Sequence, residues 1–369
     1  MLITKTKKAD RQLLIIVTLL VVFGFGAFVS ASLGLLARGG ASDFQSAAVS
    51  QIVLGIGFGT LLMLLVSRVN YRIWKKLALP IYILALILTF LVFIPGLGYS
   101  SGGAVRWLHI SGFSFQPAEF LKIAAVIFAA QYLSLHYRRL SSGLKGLFAI
   151  VGIIATSSVP LLIQPDTGTV VVLAAALIAM FFAAGARWRD ITILILAGVI
   201  GVAILAFARP YVLDRLMTFM HPWDAQQTTG YQIKQSLLAV GSGGFFGRGL
   251  GQSVQKFNYL PEPTSDSVFA VIGEEFGFFG ATIIVLLFVW FAQRSFRISV
   301  RAPDHFGALV VIGLSFLVVF QAMLNISAML GIAPLSGLPL PFISHGGSAM
   351  AVMLVSVGII LAVSRYAKV

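Results

Sequence analysis

Residues 12–36 read QLLIIVTLLVVFGFGAFVSASLGLL, 25 positions without a single charged side chain. A helix needs about 20 apolar residues to cross the hydrocarbon core of a bilayer, so this run is long enough to span one. It is too long for the apolar core of a signal peptide, and further runs follow it, so it is expected to stay as an anchor. Nine more runs share its character: 47–66, 77–95, 120–137, 144–163, 169–185, 191–209, 268–293, 307–330 and 348–363. The expected fold class is therefore an all-α polytopic membrane protein with about ten transmembrane helices in one membrane domain over 1–369. Composition agrees: 59% of the 369 residues are hydrophobic and 10% charged, against about 25% charged in soluble domains.

Basic residues set the expected topology, because short cytoplasmic loops retain Lys and Arg. Lys5, Lys7, Lys8 and Arg11 precede the first span. Arg68, Arg72, Lys75 and Lys76 fill the second connection, and Arg138, Arg139 and Lys145 the fourth. Arg187 with Arg189, then Arg294, Arg297 and Arg301, then Arg365 and Lys368 continue the series. Both termini are expected in the cytoplasm. These segments hold 18 of the 26 Lys and Arg, which accounts for most of the +14 formal charge and sets nucleic acid aside as a partner. With no cysteine, disulfides, thiolate nucleophiles and Cys-based metal sites are excluded.

Two outward connections are long, 96–119 and 210–267. The second mixes Trp223, Tyr231, Phe257 and Tyr259 with Gln, Lys and paired glycines, so an ordered extracytoplasmic segment with short helices is expected. No internal repeat or inverted duplication is evident.

Charged side chains inside spans are expensive and mark candidate sites. Glu119 and Lys122, three apart, share a helix face within ion-pair reach; a purely structural salt bridge is an equal reading. Glu274 and Glu275 diverge by roughly 100° around a helix, so one of them is expected to face a polar cavity. Gly273, Gly277 and Gly280 beside them suit close helix packing. Asp166 in Gln164-Pro165-Asp166-Thr167-Gly168-Thr169 lies at the outer rim, where a turn carboxylate capping the next helix is the plain alternative. Between Gly230 and Glu275, dense glycines with Lys234, Arg248 and Lys256 suit a phosphate-bearing ligand. Asp266 has two readings, and local sequence favours the first: a cap on the following helix with a lowered pKa, against a buried base with a raised one.

The motifs resemble the SEDS family (shape, elongation, division and sporulation proteins), and its FtsW branch more than RodA. Their carriers are Gly103-Ala104-Val105-Arg106-Trp107, Gln116-Pro117-Ala118-Glu119, the Gln164–Thr169 stretch, Pro222-Trp223, the Gly230–Glu275 segment and Pro339-Leu340-Pro341-Phe342-Ile343-Ser344-His345-Gly346-Gly347-Ser348. Ala118, Pro263, Ser265 and His345 depart from the usual pattern without removing a charge.

The resemblance implies a peptidoglycan glycosyltransferase of the bacterial cytoplasmic membrane. It would join lipid II units on the outer face, release undecaprenyl pyrophosphate, and work beside a class B penicillin-binding protein and other division or elongation proteins. Asp266 then matches the catalytic position. Arg106, Lys122, Arg215, Lys234 and Arg248 become candidates for neutralising the pyrophosphate, and Glu119, Asp166, Lys256, Ser344 and His345 further substrate-binding candidates. A divalent cation, Mg2+ or Mn2+, at Asp266 or Asp166 is left open, since no metal-ligand spacing is present. The lipid tails require an apolar groove near the long loop. A lipid II flippase, an elongation-type polymerase and a non-catalytic scaffold are the rival readings.

Overall fold

The computed structural model describes residues 8–39, 41–101, 104–110, 113–140, 145–222, 228–257 and 259–367. Lys5, Lys7, Gly103, Trp223 and Lys368, and the side chains of Arg138, Arg139 and Lys145, lie outside the described residues.

The ten apolar runs all form helices. They are α1 (Arg11–Gly39), a composite second span, α4 (Arg72–Leu91), α5 (Pro117–Leu140), α6 (Lys145–Ile163), α7 (Thr167–Ala183), α8 (Trp188–Ala208), α11 (Val268–Val300), α12 (His305–Met329) and α13 (Gly347–Ser364). Nine are long and apolar enough to cross a bilayer, and α7 is a shorter apolar helix. The second span runs from α2 (Ala41–Val49) through a π-helical stretch, Ser50–Phe58, into α3 (Gly59–Arg68). Its wider turns carry the buried Gln51, and π-helical segments often sit at functional places.

Two departures from an all-helical reading occur in the long connections. The first holds a small antiparallel sheet, β1 (Gly98–Ser101), β2 (Ala104–Ile110) and β3 (Phe113–Phe115), in the order β1-β2-β3. The second holds the short helices α9 (Pro210–Met220) and α10 (Thr228–Ser242), followed by glycine-rich turns.

Apolarity on all sides marks a helix for the interior, and α13 is buried along nearly its whole length. Close approach makes this possible: a Cβ at Gly59 would meet Ala351, and one at Gly358 would meet the Met63 backbone. By contrast, α8 leaves Val199, Ile200, Ile204 and Phe207 exposed, a surface suited to lipid.

The connections expected inside meet at one end of the bundle. Arg294 holds Asp10 through Nε and Nη2 at 2.9 and 2.6 Å, and the Tyr71 hydroxyl donates to Asp304 at 2.7 Å. Arg365 reaches the Ser67 carbonyl at 3.3 Å. At the other end gather the sheet, α9, α10 and the segment 331–346.

The packing ridge expected at Gly273, Gly277 and Gly280 is in part something else. Gly277 has φ 62 and ψ −159, which breaks α11 in a region essentially reserved for glycine. The turn 243–249 enters the break: Phe278 N bonds Gly244 O at 2.9 Å, while Arg248 N and Gly249 N each bond α11 carbonyls at 3.0 Å. A Cβ at Gly243 would collide with the Gly273 carbonyl, and one at Gly247 with that of Glu275. These glycines therefore dock a loop into a broken helix, where they were expected to approach an anion.

Candidate active site

Asp266 lies at the end of a tight turn in which Ser265 N and Ser267 N both bond Glu262 O, at 3.2 and 3.1 Å. The helix cap predicted by local sequence is not formed. Ser267 is the capping residue of α11 and makes no side-chain bond to it. The Asp266 carboxylate instead accepts the Ser265 hydroxyl at 3.1 Å. Burial pushes its pKa up to about 6, with Glu262 adding to the rise, while the Ser265 bond and the Arg215 and Arg106 charges act against it. Asp266 is half-buried, and its pKa moves up, the direction opposite to that of a helix cap.

Facing it is Arg215 on α9. A Cβ built on Gly337, which has φ +66, would lie 3.5 Å from Arg215 Nη2 and 3.7 Å from Asp266 Oδ2. The carboxylate and the guanidinium thus border one small gap that exists because residue 337 has no side chain. Arg215 bonds the Ser336 carbonyl at 3.4 Å. Its pKa is lowered, first by burial and next by Arg106, with Tyr211, Asp266 and Asp166 opposing. Arg106 on β2 donates to the carbonyls of Gln164 and Pro165, which ties the sheet to the turn before α7. Asp166 takes the plain role foreseen for it: Oδ1 accepts Thr169 N at 3.1 Å and Oδ2 the Thr169 hydroxyl at 2.8 Å, capping α7.

The turn carrying Asp266 is clamped from behind. Ser344 Oγ donates to Ser265 O at 2.6 Å and accepts Leu340 N at 2.7 Å; His345 N donates to Thr264 O at 2.7 Å. Gln51 donates to Ser344 O and accepts Gly346 N, at 3.2 and 3.0 Å. The His345 ring stacks on Phe28, and burial lowers its pKa. Of the substrate-binding candidates Ser344 and His345, the first supports the turn with its hydroxyl and the second with its backbone N–H, while His345 Nε2 is buried without a partner. Asn325 of α12 donates to Asp266 O at 2.9 Å and to Leu338 O at 2.8 Å.

Several expected residues stand apart from this gap. Glu119 and Lys122 form a sealed ion pair at 2.8 Å, and Lys122 also bonds Gln321 Oε1 at 2.7 Å. The polar cavity expected beside Glu274 or Glu275 is replaced by a single turn, 253–256, which shelters both. Glu274 accepts Ser253 Oγ at 2.6 Å and Val254 N at 3.0 Å. Glu275 accepts Lys256 Nζ at 2.7 Å and Ser30 Oγ at 2.6 Å. A turn that curls around the helix can offer donors to two diverging side chains. Lys256 is fully buried in that network, which corrects its expected role as a charge for an incoming anion. Arg248 pairs with Glu274 at 3.5 Å and is partly exposed. Lys234 lies on α10, half-buried.

An apolar groove of about 190 Å³ runs up to Arg215, lined by Val171, Val202, Leu205, Val212 and Leu216 among others. It joins α7, α8 and α9 close to the long connection, where a groove was expected. Sequence reasoning passed over Asn325, Gln321, Gln51 and Gly337. Two of them left a signal: Gln321 and Asn325 are four apart, hence on one face, within an otherwise apolar run.

Comparison with known proteins gives the family and the fold. The chain is 37% identical over 363 residues to stage V sporulation protein E of Bacillus subtilis, covering 98% of this chain and 99% of that one. It is 36% identical over 355 residues to a probable peptidoglycan glycosyltransferase FtsW of Geobacter, covering 96% of each. Among solved structures, the rod shape determining protein RodA of Thermus thermophilus superposes with TM-score 0.70 at 25% identity, over 97% of both chains. A chain from a peptidoglycan synthase complex, solved for the coordination of polymerization and crosslinking, superposes with TM-score 0.80 at 26% identity, over 97% of this chain and 98% of that one. The cell cycle protein profile that unites FtsW, RodA and SpoVE matches residues 10–369, and the chain belongs to that family.

Proposed function

We propose that this protein is a peptidoglycan glycosyltransferase that polymerises lipid II at the outward end of its helix bundle, with Asp266 as general base. The observation that carries the reading is the gap at Gly337: Asp266 Oδ2 and Arg215 Nη2 border it together, at the head of an apolar groove.

In the reaction, the 4-hydroxyl of the acceptor sugar attacks the anomeric carbon of the donor. Asp266 takes the hydroxyl proton as the new C–O bond forms. The bond to the lipid pyrophosphate breaks, and the pyrophosphate leaves with the electron pair. A base whose pKa lies near 6 is ionised at neutral pH and still basic enough to accept a proton. The leaving group needs no proton if cations neutralise it, and a guanidinium suits a phosphate geometrically. Arg215 is placed for this contact, with Arg106 adding positive potential, and the groove offers the polyprenyl chain an apolar path.

Among the described residues no three His, Asp or Glu side chains gather as a metal site, and Asp166 commits both oxygens to Thr169. The basic connections assign the opposite end of the bundle to the cytoplasm. A class B penicillin-binding protein is the proposed partner, by analogy with the relative found in a peptidoglycan synthase complex. Against the flippase reading, Glu119, Glu274 and Glu275 are buried and paired with Lys122, Ser253 and Lys256.

The test is glycan polymerisation from lipid II by the purified protein with its cognate penicillin-binding partner, comparing wild type with Asp266→Asn at matched folding. Polymer from the wild type alone supports the assignment. Equal polymer from both removes Asp266 from the chemistry, and lipid transport without polymer points to the flippase.

A further inference from the structure

Asn325 is 1% exposed near the end of an apolar helix, where an amide is costly unless bonded. Its bonding is lopsided. Nδ2 donates to two carbonyls, Asp266 O and Leu338 O, at 2.9 and 2.8 Å, while Oδ1 is buried without a partner. A leucine would pack here without an orphaned acceptor, so the two donated bonds need a reason. They join, beside the carboxylate, two segments that Ser344 and His345 also clamp from behind. One carries the Asp266 carboxylate, and the other carries Gly337, over which that carboxylate faces Arg215. Fixing the Asp266 carbonyl fixes its Cα and restricts the carboxylate to its own rotamers.

We propose that Asn325 is the positioning residue of the reaction centre, holding the backbone of Asp266 against that of Leu338 so that the carboxylate stays opposite Arg215 across Gly337. This rests on the reading of Asp266 as the base. Gln321, one turn earlier, provides the contrast: it bonds Pro339 O at 2.8 Å and Lys122 at 2.7 Å, tying the same segment without contact to Asp266.

The groups that act on Asp266 are Glu262 and Ser265 on its own turn, Arg215 on α9 and Arg106 on β2. Burial is the largest influence, so a loosened, better hydrated carboxylate titrates lower. Initial rates of polymerisation against pH and lipid II concentration, in the complex with the penicillin-binding partner, read this directly. Asn325→Leu is expected to lower kcat about 100-fold, as misplacement of a reacting group does, to leave KM within about twofold, and to move the acid limb down from near pH 6. The smaller Asn325→Ala, which removes the donor without adding bulk or charge, covers the case in which the leucine variant does not fold, and should also lose kcat. Gln321→Leu is expected to leave the acid limb in place.

An Asn325 variant that folds and keeps both kcat and the acid limb overturns the inference. So does a limb that moves equally in Gln321→Leu, because loosening the segment anywhere would then suffice. Asp266→Asn at wild-type activity overturns the underlying reading and this inference with it. An Asp266-dependent activity that is indifferent to Asn325 overturns the inference alone.

Discussion

Lys256 Nζ lies 2.7 Å from Glu275 Oε1, with both side chains sealed from solvent and Ser30 of α1 bonded to each. The pair fastens the turn 253–256 and α1 to α11 just before the break at Gly277. Removing one member of a buried pair strands the other charge, which typically costs 3–5 kcal/mol. Lys256→Met is therefore expected to lower the unfolding temperature in detergent strongly. Lys256→Met with Glu275→Gln should recover much of the loss, and a single variant as stable as wild type would contradict the buried pairing.

The rate of polymerisation should follow ionisation of Asp266. With its pKa raised to about 6, activity is expected to rise between pH 5 and pH 7, half-complete near 6, and the limb should vanish in Asp266→Asn. That variant should lose about 100-fold or more of the rate, as expected for loss of a general base. The stability sign is the reverse. The folded state holds the proton more tightly than the unfolded chain, so native Asp266 costs stability above pH 6, and that cost disappears below about pH 4. Asp266→Asn should then be no less stable than wild type at neutral pH, as a thermal melt would record.

Arg215 should matter to the leaving group more than to folding. Arg215→Gln is expected to reduce kcat about 100-fold, the scale of removing one preorganised charge stabiliser. Arg215→Lys should recover part of it, since a lysine supplies charge without the planar fork. Identical losses in both variants would show that charge is not what Arg215 contributes.

Filling the groove should discriminate by lipid length. Leu205→Trp projects bulk into the space between α7, α8 and α9. Its KM for undecaprenyl-linked substrate should rise about tenfold, equivalent to losing contact with about two buried methylenes, while a farnesyl-linked analogue should be little affected. Equal effects on both lipids would place the tail elsewhere.

Gly277→Ala tests the helix break. The new Cβ would collide with Gly247 N and the Phe245 carbonyl, and the backbone conformation there is strained for any L side chain by about 1–3 kcal/mol. Loss of the 243–249 docking should appear as faster hydrogen exchange at Phe278 and Phe279, whose amides bond Gly244 O and Phe245 O.

Most of the architecture was legible without coordinates, because a bilayer leaves the chain few choices. Runs of about 20 apolar residues must form helices to satisfy their own backbone, so the ten apolar helices follow from composition, nine of them long enough to cross a bilayer. The ion pair of Glu119 and Lys122, and the cap at Asp166, followed from spacings of three residues, which helix geometry fixes locally. The same local logic misread Asp266 as a cap, since it cannot register the Glu262 turn and the clamp by Ser344 and His345, in which Ser267 takes the capping position and the Asp266 carboxylate bonds Ser265. It also placed Lys256 among the ligand charges and Glu274 or Glu275 beside a cavity, because the curl of a loop around a helix has no periodicity to read.

By itself, then, the sequence determined the membrane class, the positions of the apolar helices, the alternation of basic connections and the family. Only the tertiary structure decided which charges are sealed in the scaffold and which face the gap at Gly337. The reason is separation along the chain: Arg106, Arg215, Asp266, Asn325 and Gly337 come from five distant segments. Their meeting depends on backbone carbonyls, missing Cβ atoms and burial, and none of these can be read from the order of residues.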